Sequence, residues 1–467
     1  MVQLPRYVAL KSKYNHSYLC HMKEDPKTQQ FDLRYCGDQV LTSYTKFEIE
    51  QAKCDPSLIN IRCCYNNKYL VITWPSFQSF ITTGASQKEE DKSKWTCTLF
   101  QAIYDRDYDA YRFRHVYLGY YVYSWMFDGP YKNCLVAKQS SFSGDISNVH
   151  SIIDWESLLS LPKYVAFKGN NGCYLRGCRI DGRPYLQFSS SDIGDPAVWM
   201  ETFVTKDGSI RIKSNYFEKF WRRNSDWIWV DSTDTTSENS DTLFWPTKVK
   251  PNTIALRNFG NYKFVKRLTF DDKTSCLSAA VDTIDKYSQL EVSEAVLSRQ
   301  IYNVNFRLSN ARIYNQSVLV MATGNATNRT QVPNTLNLNL SYTDTKSNRW
   351  SSSISMKLGV STTLEAGVPL IADGKVEISA EFSGSYEWET TKTSSETIQT
   401  TYEVTVPPMT SMVVSLLATK GTCDVPYSYT QRDTLINGDI VINTMDDGVY
   451  HGINCYNFTY ETKTKPM

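Results

Sequence analysis

A short pattern occurs six times between residues 10 and 265 of this 467-residue chain, and it restricts the fold more than any other feature. An apolar residue is followed by a basic one, and six or seven positions after the basic residue comes an aromatic followed by an apolar residue. The copies are Leu10-Lys11 with Tyr18-Leu19, Ile61-Arg62 with Tyr69-Leu70, and Phe113-Arg114 with Tyr121-Val122. Then come Phe167-Lys168 with Tyr174-Leu175, Ile212-Lys213 with Phe220-Trp221, and Leu256-Arg257 with Phe264-Val265. The aromatics recur at intervals of 51, 52, 53, 46 and 44 residues. A larger duplication overlies them, because Tyr7-Val8-Ala9-Leu10-Lys11 returns as Tyr164-Val165-Ala166-Phe167-Lys168. A unit of this length cannot bury its apolar face alone, so neighbouring copies must share one core.

Three copies followed by three copies read as two threefold units, joined around Ile152-Ile153-Asp154-Trp155-Glu156, with residues 155–159 as a candidate short helix. Three hairpin pairs arranged about an axis close a small barrel, which is the β-trefoil plan. The expected fold is therefore all-β. Two tandem β-trefoils, 1–152 and 153–297, precede an elongated antiparallel β module, 298–467. The content of 31 Tyr, 20 Phe and 11 Trp fits strands better than helices. With 41% hydrophobic and 21% charged residues, disorder, collagen and coiled coil are excluded.

Beyond residue 295 the repeat vanishes and the chain becomes rich in Ser and Thr. Strand-like runs fall at 318–322, 335–342, 353–368, 375–388, 397–406, 411–417 and 439–443. The sharpest local signal lies in the third and fourth. One face of 353–368 reads Ile354, Met356, Leu358, Val360, Thr362, Leu364, Ala366, Val368, while the other carries Ser, Thr, Lys, Glu and Gly. The alternation resumes as Val376, Ile378, Ala380, Phe382, Gly384, Tyr386, Trp388. Period two sustained over two strands is the pattern of a membrane β-hairpin at 350–390, whose tip is expected at Val368, Pro369, Leu370 and Ile371. Lipid offers no partners for free backbone groups, so such a hairpin spans a bilayer only as part of a closed barrel built from several chains. Glu365, Glu377, Glu381 and Glu387 on the polar face, against Lys357 and Lys375, predict a cation-preferring lumen. The alternative is a half-buried hairpin of a structural or oligomerising tail.

Fifty Lys and Arg balance 49 Asp and Glu, so there is no electrostatic footprint for nucleic acid. The five His residues form no His-Glu-x-x-His, and Gly-x-Ser-x-Gly and phosphate-loop patterns are absent. Cys63-Cys64 and Cys173 with Cys178 lack zinc-finger pairing, so the chain is read as no enzyme, with no metal and no cofactor. The start Met1-Val2-Gln3-Leu4-Pro5-Arg6 has no apolar core and no cleavage site, which points to a cytoplasmic or nucleocytoplasmic protein, membrane-associated only in a pore state. The twelve Cys are then expected to be mostly reduced and buried, and the sequons at Asn325 and Asn328 unused.

Residues 1 to about 295 resemble the amaranthin-type plant agglutinins. The stretches carrying the resemblance are Tyr65-Asn66-Asn67-Lys68-Tyr69-Leu70-Val71, Trp95-Thr96-Cys97-Thr98-Leu99-Phe100, Phe167-Lys168-Gly169-Asn170-Asn171-Gly172, Leu186-Gln187-Phe188 and Ile212-Lys213-Ser214-Asn215-Tyr216. The resemblance implies two β-trefoils, binding of galactose/N-acetylgalactosamine disaccharides of T-antigen type, and a head-to-tail homodimer with the sugar between subunits. Residues from about 300 onward resemble the aerolysin-like pore-forming module, with long strands bracketing one amphipathic hairpin. Plant chimeras of the two are associated with defence, so the chain looks like a lectin that targets a pore former to membranes.

The loop 72–80 corresponds to the agglutinin binding loop, one residue longer and with Phe77-Gln78 at its centre; 222–227 is its counterpart in the second half. A sugar site needs an aromatic face and planar polar groups. The resemblance thus assigns stacking to Trp74 or Phe77 and hydroxyl contacts to Ser76, Gln78, Asn224 and Asp226; Trp227 joins the set, with ordinary trefoil packing as its alternative role. The membrane-facing set is Ile354, Met356, Leu358, Val360, Leu364, Val368, Leu370, Ile371, Val376, Ile378 and Phe382.

Overall fold

The computed structural model describes residues 4–22, 32–73, 78–141, 144–236, 238–352 and 360–466. These fall into two compact units. The first holds the chain through Arg299, to which Arg432–Ile442 returns; the second holds most of the remainder.

The first unit contains two twelve-stranded sheets. In one, the opening strand Tyr7–Ser12 pairs with the closing strand His150–Asp154, Val8 opposite Asp154. In the other, Tyr164–Lys168 pairs with Leu290–Glu294, Val165 opposite Glu294. Each sheet is thus tied from first strand to last, with the strand count of a β-trefoil. The candidate helix between them is one 3-10 turn, Trp155–Ser157, whose first orphan amide is satisfied when Glu156 N–H donates to the Asp154 carboxylate.

The six copies of the sequence pattern are six versions of one hairpin. In every copy the basic and aromatic residues are cross-strand partners: Lys11 with Tyr18, Arg62 with Tyr69, Arg114 with Tyr121, Lys168 with Tyr174, Lys213 with Phe220, and Arg257 with Phe264. Two residues before each aromatic the backbone is left-handed, at His16, Asn67, Gly119, Gly172, Glu218 and Tyr262, with φ between 57° and 76°. Immediately after each aromatic the register slips at a bulge. A bulge bends the strand and increases its twist, which is what turning into a narrow barrel requires. In four copies an Asn three residues before the aromatic (Asn15, Asn66, Asn171, Asn261) accepts the N–H two residues on. The flanking apolar residues are the core. Leu10, Leu19, Ile61, Leu70, Phe113 and Val122 gather in the first trefoil, and Phe167, Leu175, Ile212, Trp221, Leu256 and Val265 in the second.

Two histidines are sealed into the first trefoil. His150 meets the Tyr35 hydroxyl at 2.6 Å through Nδ1 and the Val122 carbonyl at 3.2 Å through Nε2. His115 Nε2 lies 3.0 Å from the Cys97 carbonyl. Burial, only partly opposed by these carbonyl bonds, holds both imidazoles down at about 4. Elsewhere in the same unit Arg299 is clamped between two carboxylates. It donates to Asp433 at 2.7 and 2.9 Å and to Glu294 at 2.6 and 3.3 Å, with all three side chains at most 6% exposed. Burial opposes the charge, but the two carboxylates keep the guanidinium firmly protonated.

Eight strands, most of whose residues belong to the second unit, follow: β1 (Val296–Phe306), β2 (Arg312–Asn328), β3 (Asn334–Ser352), β4 (Thr362–Ala372), β5 (Lys375–Tyr386), β6 (Lys392–Val406), β7 (Thr410–Leu435) and β8 (Ile440–Pro466). Their sheet order is β5-β4-β1-β7-β8-β3-β6, with β2 also on β7. Six of the seven expected runs overlap β2, β3 and β5 to β8, and the run 353–368 overlaps β4 only from Thr362, its residues 353–359 lying outside the described residues; the strands run to 26 and 27 residues in β7 and β8. Ser and Thr carry them past the apolar runs. Hydroxyl pairs join Thr335 to Thr405, Thr345 to Ser395 and Ser347 to Thr393 across β3 and β6, each at 3.0 Å. The core is aromatic, with Trp350 4.9 Å from Tyr450 and 5.4 Å from Tyr427. Gly448 makes room for it, since a Cβ there would lie 2.3 Å from the Tyr427 ring.

The twelve cysteines are all free, but five rather than most are buried, and Cys36 and Cys54 are exposed. Of the sequon asparagines Asn325 and Asn328, Asn325 is exposed. Asn328 is buried, its amide donating to the Val332, Val406 and Pro407 carbonyls.

Two predictions follow from the trefoil geometry. Glu218 holds a left-handed backbone at φ 57° with a side chain that disfavours it. Glu218→Gly is expected to raise stability by about 0.5–1 kcal/mol and Glu218→Val to lower it by about 1–2 kcal/mol in chemical denaturation. His115 and His150 are depressed in the fold, so their contribution is complete above the unfolded value of about 6.5. It is lost as pH falls from there toward 4. Each is expected to remove on the order of 3 kcal/mol across that window. Denaturation of the His115→Gln/His150→Gln protein is expected to show a flatter pH dependence between 6.5 and 4 than the parent.

Candidate functional site

The candidate sugar loops occupy corresponding places. Each is the connection that follows the second basic–aromatic hairpin of its trefoil, and each lies in its own sheet. In the first trefoil it joins Tyr69–Thr73 to Ser79–Ala85, with Thr73 opposite Phe80. Trp74, Ser76 and Phe77 lie outside the described residues. Gln78 is half-buried, and its carbonyl accepts the Phe80 N–H at 3.2 Å. Phe80 itself is packing: fully buried, it meets Tyr131 at 5.2 Å and Trp125 at 5.9 Å.

In the second trefoil the connection is tighter. Asn224 pairs with Trp227, and Ser225, left-handed at φ 54°, and Asp226 make the turn. The backbone at Asp226 is fixed because its carbonyl accepts from Ala279 N–H at 2.7 Å and from the Ser278 hydroxyl at 2.8 Å. That leaves its side chain exposed at the tip. Arg223 braces the turn by donating to the Ser225 carbonyl and, at 2.8 Å, to Asp241. Trp227 is half-buried, edge-on to Tyr185 at 5.9 Å, so one aromatic surface stands beside Asn224 and Asp226.

A polar group missed from sequence lies on the strand Ser79–Ala85. Thr83 donates to Asp32 through its N–H at 3.1 Å and through its hydroxyl, and Asn66 donates to the Thr83 hydroxyl at 2.6 Å. His21 stands 3.4 Å from Asp32 and packs against Tyr65. Burial works against the Asp32 charge, but the His21 and Thr83 contacts outweigh it and keep the carboxyl below its ordinary value. Residues 51 positions apart leave no local signal of such a cluster.

The candidate insertion hairpin is present as β4 and β5, and three expectations change. Its tip is not apolar. Ala372 pairs with Lys375, and the turn is Asp373-Gly374, both left-handed at φ 47° and 75°, the geometry of a type I′ hairpin. Leu370 and Ile371 therefore sit opposite Glu377 and Val376, within the strands. Nor is one face continuous. Thr362, Leu364 and Ala366 are buried, the register shifts between Gly367 and Pro369, and burial then moves to Pro369 and Ile371. An extra residue at a bulge exchanges the faces, which period-two counting cannot see. Lastly, the apolar side is occupied: Leu364, Ala366, Ile371, Tyr386 and Trp388 belong to the aromatic core, with Val368 and Val376 packed against it. Ile378 is 41% exposed. Val360 is half-buried; Ile354, Met356 and Leu358 lie outside the described residues, as does the Phe382 side chain. On the polar face Glu365, Glu377, Glu387 and Lys375 are exposed.

Besides the ladder between β4 and β1, one side chain fastens this hairpin near its tip. Asn454 of β8, 4% exposed, accepts the Ile371 N–H at 3.0 Å and donates to the Ile371 carbonyl at 2.9 Å. Its amide takes the place of a neighbouring peptide where a ladder would otherwise be.

Among the described residues no three of His, Cys, Asp or Glu gather as a metal centre, and no helix is long and apolar enough to cross a membrane, which says nothing of crossing by strands. The described chain is thus all-β, two trefoil-type sheets and a long-stranded sheet carrying a clamped hairpin. The agglutinin domain model matches residues 2–154 and 159–294, more than half the sequence, and the chain belongs to that family. The aerolysin toxin model matches residues 289–434. Natterin-1 of Thalassophryne nattereri is 28% identical over 164 residues, 35% of this chain and 46% of that protein. Natterin-2 is 26% identical over 167 residues, 36% and 44%. The chain spans about half the length of these curated relatives. Among solved structures, the lamprey immune protein covers 66% of this chain and 93% of its own at 13% identity and TM-score 0.33. The aerolysin-like protein of Bombina maxima covers 36% and 99% at 14% identity and TM-score 0.25.

The Asn454 clamp is testable. Asn454→Ala leaves two buried backbone groups unpaired, and a loss of about 2–4 kcal/mol from the second unit is expected. Hydrogen exchange at Ile371 should rise well above that at β3 and β6.

Proposed function

We propose that the trefoils bind glycans on a target surface and that the second unit then assembles with other copies and inserts residues 350–390 as strands of a β-barrel pore. The observation that carries this reading is the joining of an agglutinin domain match to an aerolysin toxin match on one chain. The hairpin supports it: a tight type I′ turn, an alternating sequence, and strands already paired to each other. Insertion exchanges the buried contacts of Leu364 and Ile371 for lipid and carries Asp373-Gly374 across the bilayer. The exposed Glu365, Glu377 and Glu387 would then bias the lumen toward cations.

The proposed ligand is a galactose/N-acetylgalactosamine disaccharide of T-antigen type, with Asn224 and Asp226 on its hydroxyls and Trp227 against a ring face. Trp74, Ser76, Phe77 and Gln78 supply the opposite contacts, from another copy in a head-to-tail dimer. Several weak contacts on one assembly give avidity. Defence in a plant cell, with the protein held in the cytoplasm or nucleocytoplasm until damage, is the setting proposed, and the chain is proposed to act without enzymatic turnover. The burial of Leu364 and Ile371 favours a second reading, a glycan-binding protein whose C-terminal sheet is structural.

Dye release from vesicles with and without a galactosyl-N-acetylgalactosamine glycolipid separates the two. Glycan-dependent release is expected from the parent. Ile378→Asp, at an exposed position that tolerates charge in the water-soluble form, should keep binding and lose release. Asp226→Ala should weaken glycan binding tenfold or more. Binding without release, even after mild proteolysis, would establish the second reading.

A further inference from the structure

On the outer face of the first trefoil two cysteines and a methionine share one patch. The strands Tyr18–His21 and Leu33–Gly37 are antiparallel neighbours, with Cys20 opposite Arg34. Leu19 and His21 point into the core, and so do Leu33 and Tyr35. Alternation therefore sends Cys20 and Met22 outward from one strand, and Arg34 and Cys36 outward from the other. The Cys36 Sγ lies 3.3 Å from the Met22 Sδ, and Cys20, whose thiol donates to the His21 carbonyl at 3.5 Å, is the diagonal neighbour of Cys36 on the same face of the ladder. Cys36 and Met22 are exposed, so the group is open to solvent.

We propose that Cys20, Met22 and Cys36 bind one soft monovalent metal ion of the Cu(I) or Ag(I) class. Two thiolates and a thioether are a soft ligand set suited to such an ion in trigonal geometry. Zinc takes four ligands, and among the described residues no third His, Cys, Asp or Glu joins these two cysteines. Metal–sulfur bonds of about 2.3 Å at trigonal angles set the sulfurs about 4 Å apart. Reaching that from 3.3 Å asks for a shift well within the freedom of an exposed Met side chain. The balance is one cation taken up and two thiol protons released to solvent, leaving a site of net charge −1. The Arg34 guanidinium, opposite Cys20 in the ladder, offsets that charge. Proton release means that binding weakens as pH falls.

The test is titration of the whole chain with Cu(I), anaerobically and under reduction, against a chromogenic Cu(I) chelator. The parent is expected to hold one more tightly bound ion than Cys36→Ser or Cys20→Ser. Met22→Leu, a conservative change at an exposed position, is expected to weaken that ion tenfold or more with the fold intact. Cys54→Ser, at an exposed thiol elsewhere, is expected to change nothing. Equal stoichiometry and affinity in the parent, Cys36→Ser and Met22→Leu would overturn the proposal. So would a Cys20–Cys36 disulfide that forms in a glutathione buffer while the reduced protein retains no ion.

Discussion

A left-handed residue, an aromatic two positions later and a slipped register immediately after it are the joint on which the first unit depends. The left-handed turn brings a basic residue and an aromatic face to face across the hairpin, as with Lys11 and Tyr18. The bulge then rotates the next residue, Leu19 or its counterparts, into the core. One bent hairpin buries little. Three of them about an axis bury a complete core, as Leu19, Leu70 and Val122 do together. Because the joint is local, it tolerates different residues at the strained position, from Gly119 and Gly172 to Glu218 and Tyr262.

The second unit solves a different problem by length. Strands of up to 27 residues need a partner for every peptide group, and Ser and Thr let one face remain wet while the ladder continues. Apolar density is concentrated in one place, around Trp350, Tyr427 and Tyr450, where Gly448 admits the rings against bare backbone. The hairpin β4–β5 is laid over this core rather than woven into it at its tip. Near that end Asn454 substitutes one side-chain amide for a ladder. A hairpin at the edge of the sheet, paired along β4 to β1 and fastened near its tip by one amide, is more readily exchanged for another packing than a central strand is.

The trefoil plan was legible because it repeats. Six registrations of basic–apolar and aromatic–apolar pairs, spaced 44 to 53 residues apart, specify six hairpins and one way to share their cores. The existence of the long strands was legible too, but their ends were not, because Ser and Thr that extend β7 and β8 resemble loop residues in a linear reading. In the candidate sugar hairpin the sequence supplied Asn224, Asp226 and Trp227. The Arg223–Asp241 brace and the Ser278 contact that hold the turn come from residues 15 or more positions away.

By itself the sequence determined the all-β class, the two threefold units, the alternating hairpin and the residue types at the candidate sugar loops. Tertiary structure decided the rest. It moved the hairpin turn from Pro369-Leu370 to Asp373-Gly374 and exchanged the buried face at the Gly367–Pro369 bulge. It brought Arg299 between Glu294 and Asp433, and Asn454 onto Ile371. The reason is physical: periodicity encodes which side of a strand is apolar, whereas register, bulges and buried polar pairing depend on the partner strand, which a linear pattern does not contain.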